Sequence, residues 1–115
     1  MVEVIVTDEF KDWYASLGDQ DAEAVEFVIG LLERQGVTLG YPYSSQLLGA
    51  KSALRELRAQ SGGRPIRVSY AFDPKRQAVL LLGGDKTGDN DFYRWFVSES
   101  EKIWSQYIKE LSGKK

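Results

Sequence analysis

Neither cysteine nor histidine occurs among the 115 residues. Without cysteine there are no disulfides, no thiolate metal sites and no thiol nucleophile. Without histidine the chain lacks the usual general base near neutral pH and the commonest metal ligand. Long apolar runs are also missing. No window approaches the roughly eighteen apolar residues of a membrane span, and the N-terminal MVEVIVTDEF has neither the basic start nor the apolar core of a signal peptide. These absences lead to the expectation of a cytoplasmic protein with no membrane partner. What is present describes one globular domain over residues 1–115: 43% hydrophobic and 28% charged residues, with enough aromatic rings for a single modest core.

Positive charge is scarce in the first half and concentrated in the middle. Residues 1–50 carry only Lys11 and Arg34 against nine acids, whereas Lys51–Arg76 holds seven bases and two acids, a local net of +5 in a chain of net −2. A basic segment within an acidic protein suggests a localised polyanion site. Charge alone leaves a solvated sheet face equally open.

Val2–Val6 reads as a short strand by its β-branched residues. Thr7 or Asp8 starts a helix carrying Phe10, Trp13, Tyr14 and Leu17, closed by Gly18. Asp19 caps a second helix whose apolar face is Ala22, Val25, Val28 (or Ile29) and Leu32, ending at Gly36. The pair forms a helical hairpin over a sheet. Residues 37–45 read as a loop, in which Tyr41 and Tyr43 either stack on a base or anchor the loop by packing, the favoured reading. A short extended segment at 46–50 leads to a strand near 53–59 and a Ser61-Gly62-Gly63 turn. Ile66–Phe72 alternates, which puts Ile66, Val68, Tyr70 and Phe72 on the helix side and Arg67 on an open face. Ala78–Leu82 is continuously apolar and therefore central. A final helix, capped by Asn90 or Asp91, runs to about Leu111, followed by a frayed tail at 112–115.

The order strand, helix, helix, three antiparallel strands and helix, together with three segments, resembles the HigB-like branch of the RelE superfamily of toxins from type II toxin–antitoxin modules, the phage-derived Gp49-like group. The segments are LLGAKSALRELR, similar to the family's Leu-Gly pair and Leu-x-Glu-Leu-Arg strand; GGRPIRVSYAF, similar to its Gly-x-x-Arg-x-x-Tyr strand; and AVLLLGGDKTG, similar to its apolar strand closed by a lysine and a polar turn. The resemblance implies an α+β, RelE-like microbial ribonuclease-type fold. Its mainly antiparallel sheet would have about four strands, with an N-terminal helical hairpin and a C-terminal helix.

It also implies a metal-independent messenger-RNA endonuclease, ribosome-dependent and inhibitory to translation, in which a ribose 2′-hydroxyl attacks the adjacent phosphate. The implied partners are ribosome-bound mRNA and a cognate helix-turn-helix antitoxin from the adjacent gene, with operator DNA contacted only through the antitoxin complex. Carried onto this chain, the catalytic candidates are Arg67, holding the scissile phosphate, Lys86, stabilising the transition state or donating a proton, and Glu56 as a base. Arg55, Arg58, Arg64 and Tyr93 are the candidates for RNA and phosphate binding.

Four candidates have a plain structural reading beside the functional one: an exposed strand arginine for Arg67, a turn lysine for Lys86, a salt bridge for Glu56 and a core ring for Tyr93. Arg55 and Arg58 lie on opposite faces of their strand and cannot share a site without a bulge. The chain departs from the family pattern at Asp85, which precedes Lys86 where two successive bases are usual; an acid there opposes phosphate binding unless it is itself an acid–base group. A phosphate-loop reading of GGDKTG fails, because no Gly directly precedes Lys86. The alternative in reserve is a non-catalytic member of the fold that binds an antitoxin or RNA without cutting.

Overall fold

The computed structural model describes residues 1–113, which form an α+β sandwich. The elements in chain order are β1 (Val4–Val6), α1 (Asp8–Ala15), α2 (Asp19–Gln35), a single 3-10 turn (Gly36–Thr38), β2 (Ser44–Gln46), β3 (Arg55–Ser61), β4 (Arg64–Phe72), β5 (Ala78–Asp85) and α3 (Phe92–Gly113). The strands make one five-stranded sheet in the order β1-β5-β4-β3-β2. Among the described residues only β1 runs parallel to its neighbour, with Val4 beside Ala78; the other pairings are antiparallel.

The fifth strand, beyond the roughly four expected, comes from the end of the segment read as a loop and the first residue of the segment read as extended, the rest of which turns, with Ala50 N donating to the Leu47 carbonyl at 3.3 Å. Ser44–Gln46 pairs with β3, and the buried Ser44 hydroxyl lies 2.6 Å from the Tyr70 hydroxyl. Three residues of Ser and Gln carry no alternation to announce a strand; their partner strand supplies the order.

Local chemistry fixes the ends of the elements. The Thr7 hydroxyl accepts from Phe10 N at 3.1 Å and donates toward the Leu80 and Leu81 carbonyls, which ties the start of α1 to β5. Gly18, and not Asp19, occupies the cap of α2; Asp19 and Asp21 sit in its first turn, where their charge favours the positive end of the helix. The hairpin between β3 and β4 turns through Gly62 and Gly63, both at positive φ (57° and 79°), between paired Ser61 and Arg64. Two successive positive φ values are what a two-residue turn of matching twist needs. After β4, Asp73 closes its own turn by accepting from Lys75 N and Gln77 N.

Two cores sandwich the sheet. The α1–α2 hairpin buries Phe10, Val25, Val28 and Leu32 against Leu57, Val68, Tyr70 and Leu80. On the opposite face α3 packs Phe92 and Phe96 against Leu54, Ala71, Val79 and Leu81. β5 is accordingly central, paired on both sides and covered on both faces, but it is longer than its apolar run. It continues through Gly83, Gly84 and Asp85, where the sequence suggests a turn. A Cβ on Gly83 would lie 2.2 Å from the Trp13 ring, and one on Gly84 would lie 2.8 Å from Phe92. These glycines are strand residues that admit an aromatic ring from either side.

The face that alternation assigns to solvent is not open. Arg67, Ser69 and Ala71 are all buried under α3. Ser100 donates to Ser69 at 2.6 Å across that contact, and Arg67 is 4% exposed. Alternation distinguishes two faces, but it does not say whether a later helix covers the second. Ser112 and Gly113 continue α3 instead of fraying; Lys114 and Lys115 of the expected tail lie outside the described residues.

Candidate active site

Four elements converge at one end of the α3 face. On β3, Glu56 and Arg58 are two residues apart and so share a face. On β4, Arg67 stands opposite Arg58 in register and Ser69 opposite Glu56. Lys86 follows directly on β5, with its backbone N held by the Pro65 carbonyl at 3.0 Å. Tyr93 comes from the first turn of α3. A cleft of about 630 Å³ opens over this group, with Ser45, Gln46 and Leu48 forming its outer wall.

Glu56 is the hub. It is 5% exposed, yet neither carboxylate oxygen lacks a donor. Oε1 accepts from the Tyr93 hydroxyl at 2.8 Å and lies 3.7 Å from Arg67 Nε; Oε2 accepts from Ser45 Oγ at 3.2 Å and from Arg58 Nη1 at 3.4 Å. Burying a carboxylate is tolerable only with such compensation. The salt-bridge reading of Glu56 is therefore a structural fact, and it places the same carboxylate at the floor of the cleft. Arg67 Nε also donates to the Tyr93 hydroxyl at 3.3 Å, and its Nη1 donates to the Ile66 carbonyl at 3.1 Å. Arg67 is thus a buried cation beneath the cleft, and the open-face expectation for it is corrected.

Two cations reach further out. The Arg58 side chain is 28% exposed. The Lys86 ammonium sits 5.2 Å from the Tyr93 ring centroid, a cation–π contact, and among the described residues no carboxylate lies within ion-pair distance of it. Burial, then repulsion from Arg67 and Arg58, pushes the Lys86 ammonium below the ordinary lysine range, with Glu56 opposing. Burial, then the hydrogen bond to Glu56, pushes the Tyr93 phenol upward, so it stays protonated at neutral pH.

Glu56, Arg58, Arg67, Lys86 and Tyr93 are brought together; Arg55 and Arg64 are not. Arg55 projects to the hairpin face, where its Nε donates to Ser44 Oγ at 3.1 Å and to the Tyr70 hydroxyl at 3.3 Å. Arg64 pairs with Asp21 at 2.5 Å and with Asp85 at 2.6 Å, bridging α2 to the end of β5. Asp85 is further held by Thr87, whose backbone N and hydroxyl both donate to Oδ1. The acid before Lys86 is therefore engaged on the side of the sheet away from the cleft.

Ser45, Gln46 and Leu48 have no signal as site residues in the sequence; they line the cleft because β2 sets Ser45 opposite Glu56. Among the described residues no group of three or more acidic side chains converges as a metal site would. The arrangement can bind an anion at Arg58 and Lys86, accept a proton at Glu56 and donate one from Tyr93 or Lys86.

The family model of phage-derived Gp49-like proteins matches residues 12–103, which include all five of these side chains. Two relatives in Mycobacterium tuberculosis carry toxin names. HigB3 is 39% identical over 94 residues, 81% of this chain and 79% of that protein. HigB2 is 38% identical over 106 residues, 90% of this chain but 53% of that protein, so the chain spans about half of its length. The chain belongs to the phage-derived Gp49-like family, in its HigB-like toxin branch.

Proposed function

We propose that this chain is the toxin of a toxin–antitoxin module and acts in the cytoplasm as a metal-independent endoribonuclease on messenger RNA in the ribosome. The observation that carries the reading is the set of three cations, Arg58, Arg67 and Lys86, gathered around one buried carboxylate at the floor of a cleft in an acidic chain. Cleavage by 2′-hydroxyl attack asks for a proton acceptor, positive charge beside the phosphorane and a donor for the leaving 5′ oxygen. Glu56 takes the 2′ proton as the 2′ oxygen bonds to phosphorus. Arg58 and Lys86 hold the phosphate, with the buried Arg67 charge beneath them. The bond from phosphorus to the 5′ oxygen breaks as Lys86 supplies a proton, leaving a 2′,3′-cyclic phosphate and a 5′-hydroxyl.

Glu56 must release one of its present donors to do this, and Ser45 and Arg58 are the longest of those bonds. Ribosomal positioning of the message relieves the enzyme of orienting its substrate. The partner is a helix-turn-helix antitoxin encoded next to the toxin, and operator DNA is met only through their complex. Expression alone should arrest growth, and co-expression of the neighbouring antitoxin should relieve it. Absence of arrest at every induction level overturns the toxin reading and leaves a binding module of the same fold.

A further inference from the structure

A second recess adjoins the cleft and is built for a different chemistry. It occupies about 600 Å³ between α2 and the loop at 41–43, over the part of β3 that extends past β2. Three aromatic rings border it, all unusually exposed: Tyr41 at 80%, Phe27 at 55% and Tyr43 at 40%. The favoured expectation that Tyr41 packs as a loop anchor is thereby overturned, since four-fifths of the residue faces solvent. Tyr43 does anchor the loop: its ring meets Phe27 edge to face at 6.1 Å, and its carbonyl accepts from Arg58 N at 2.8 Å.

The recess and the cleft share Arg58, which lines both and whose guanidinium carbon lies 5.7 Å from the Tyr41 ring centroid. Apart from the tyrosine hydroxyls, its remaining polar side chains are Gln60 and Arg67, and none of its lining residues is a carboxylate, although acids outnumber bases in the chain, 17 to 15. Single exposed aromatics are ordinary. Three of them around a carboxylate-free recess, with an arginine stacked on one, match the stacking platforms and cationic tracks of single-strand RNA binding.

We propose that this recess is a base-stacking subsite for the nucleotide next to the scissile phosphate, with Tyr41 as the platform and Arg58 as the link that tracks the RNA backbone between recess and cleft. The inference rests on RNA being the ligand of the adjoining cleft, and it adds a specificity-determining contact outside the reacting groups. The cations favour an RNA strand over an apolar helix of a protein partner, which would leave Arg58 and Gln60 facing a hydrocarbon stripe.

The test measures binding apart from cleavage, using fluorescein-labelled hexaribonucleotides whose 2′-O-methyl riboses cannot be cut. Fluorescence anisotropy should show Tyr41→Ala weakening the complex by about 5- to 150-fold, the range that roughly 1–3 kcal/mol of stacking per base yields. Tyr41→Phe, which keeps the ring, should stay within about threefold of the unaltered chain. Scanning an abasic residue along the hexamer should find one position that weakens binding by the unaltered chain to the same degree and adds nothing to Tyr41→Ala, the signature of a coupled pair.

Equal hexamer affinity for Tyr41→Ala and the unaltered chain overturns the subsite, as does a failure of the unaltered chain to bind. Unchanged hexamer affinity combined with loss of antitoxin binding assigns the recess to the protein partner and overturns it equally. If the unaltered chain cuts no message while Tyr41→Ala still loses hexamer affinity, the subsite stands and the cleavage reading falls.

Discussion

Asp85 and Lys86 are adjacent in the chain and serve opposite sides of the sheet. The Asp85 carboxylate is 2.6 Å from Arg64, on the side of the helical hairpin, while the Lys86 ammonium lies over the Tyr93 ring at the mouth of the α3-face cleft. An acid directly before the candidate catalytic lysine would repel a phosphate if both faced the same way. Here the alternation at the end of β5 separates them, and Arg64 with Thr87 holds the Asp85 carboxyl below its ordinary range, the Thr87 hydroxyl contributing most.

Asp85→Ala is therefore a variant with a stability effect and little catalytic effect. Cleavage should stay within about threefold of the unaltered chain. Both partners of the Arg64 pair are exposed enough for solvent to screen it, so the loss of stability should be small. Single-turnover cleavage rates and denaturant titration check the two halves. A fall of tenfold or more in rate would place Asp85 in the chemistry.

The depressed Lys86 ammonium gives the cleavage reaction a sign with pH. In the proposed cleavage its charged form holds phosphate and donates a proton, so the rate should decline on the alkaline side at a pH below that of an ordinary lysine. Lys86→Arg should move that limb upward, because a guanidinium keeps its proton. Stability runs the other way. Between the folded and unfolded values the folded lysine binds fewer protons than the unfolded one, so its contribution to stability rises with pH across that window and is lost as pH falls through the folded value. The rate–pH profile of both proteins is the measurement. Superimposable profiles would exclude Lys86 as the titrating group.

Gly84→Ala tests how the cleft is supported from behind. The new methyl would meet Phe92 at 2.8 Å, and Phe92 precedes Tyr93 in the first turn of α3. Overpacking of this kind costs about 1–3 kcal/mol. The shift in α3 should also lower cleavage by displacing the Tyr93 hydroxyl from Glu56. Thermal unfolding and cleavage assays should fall together, and a variant as stable as the unaltered chain would show that α3 has room to yield.

The chain made some of this legible and hid the rest for physical reasons. Period-two alternation in Ile66–Phe72 correctly divided β4 into two faces, and the Gly62-Gly63 pair marked its hairpin. The same alternation made Arg67 look exposed, because which face α3 covers is settled by contacts across 31 residues, such as Ser100 with Ser69. Opposed faces for Arg55 and Arg58 follow from strand geometry alone, and the structure resolves the choice between them in favour of Arg58 as the cleft residue. Arg64 offered no such clue. Its acidic partners, Asp21 and Asp85, lie 43 and 21 residues away, too far for any local pattern to pair them. The same is true of the contact between Ser45 and Glu56, which depends on a three-residue strand of weak propensity.

The most direct test maps the ends produced when the protein acts on ribosomes programmed with a defined message, comparing the unaltered chain with Lys86→Ala, a partly exposed residue whose loss spares the core. The account predicts cuts within the ribosome-bound message that leave 2′,3′-cyclic phosphate and 5′-hydroxyl ends. Lys86→Ala should slow them by at least about 100-fold while still binding the antitoxin. Ends bearing a 5′-phosphate, or undiminished cutting by Lys86→Ala, would contradict it.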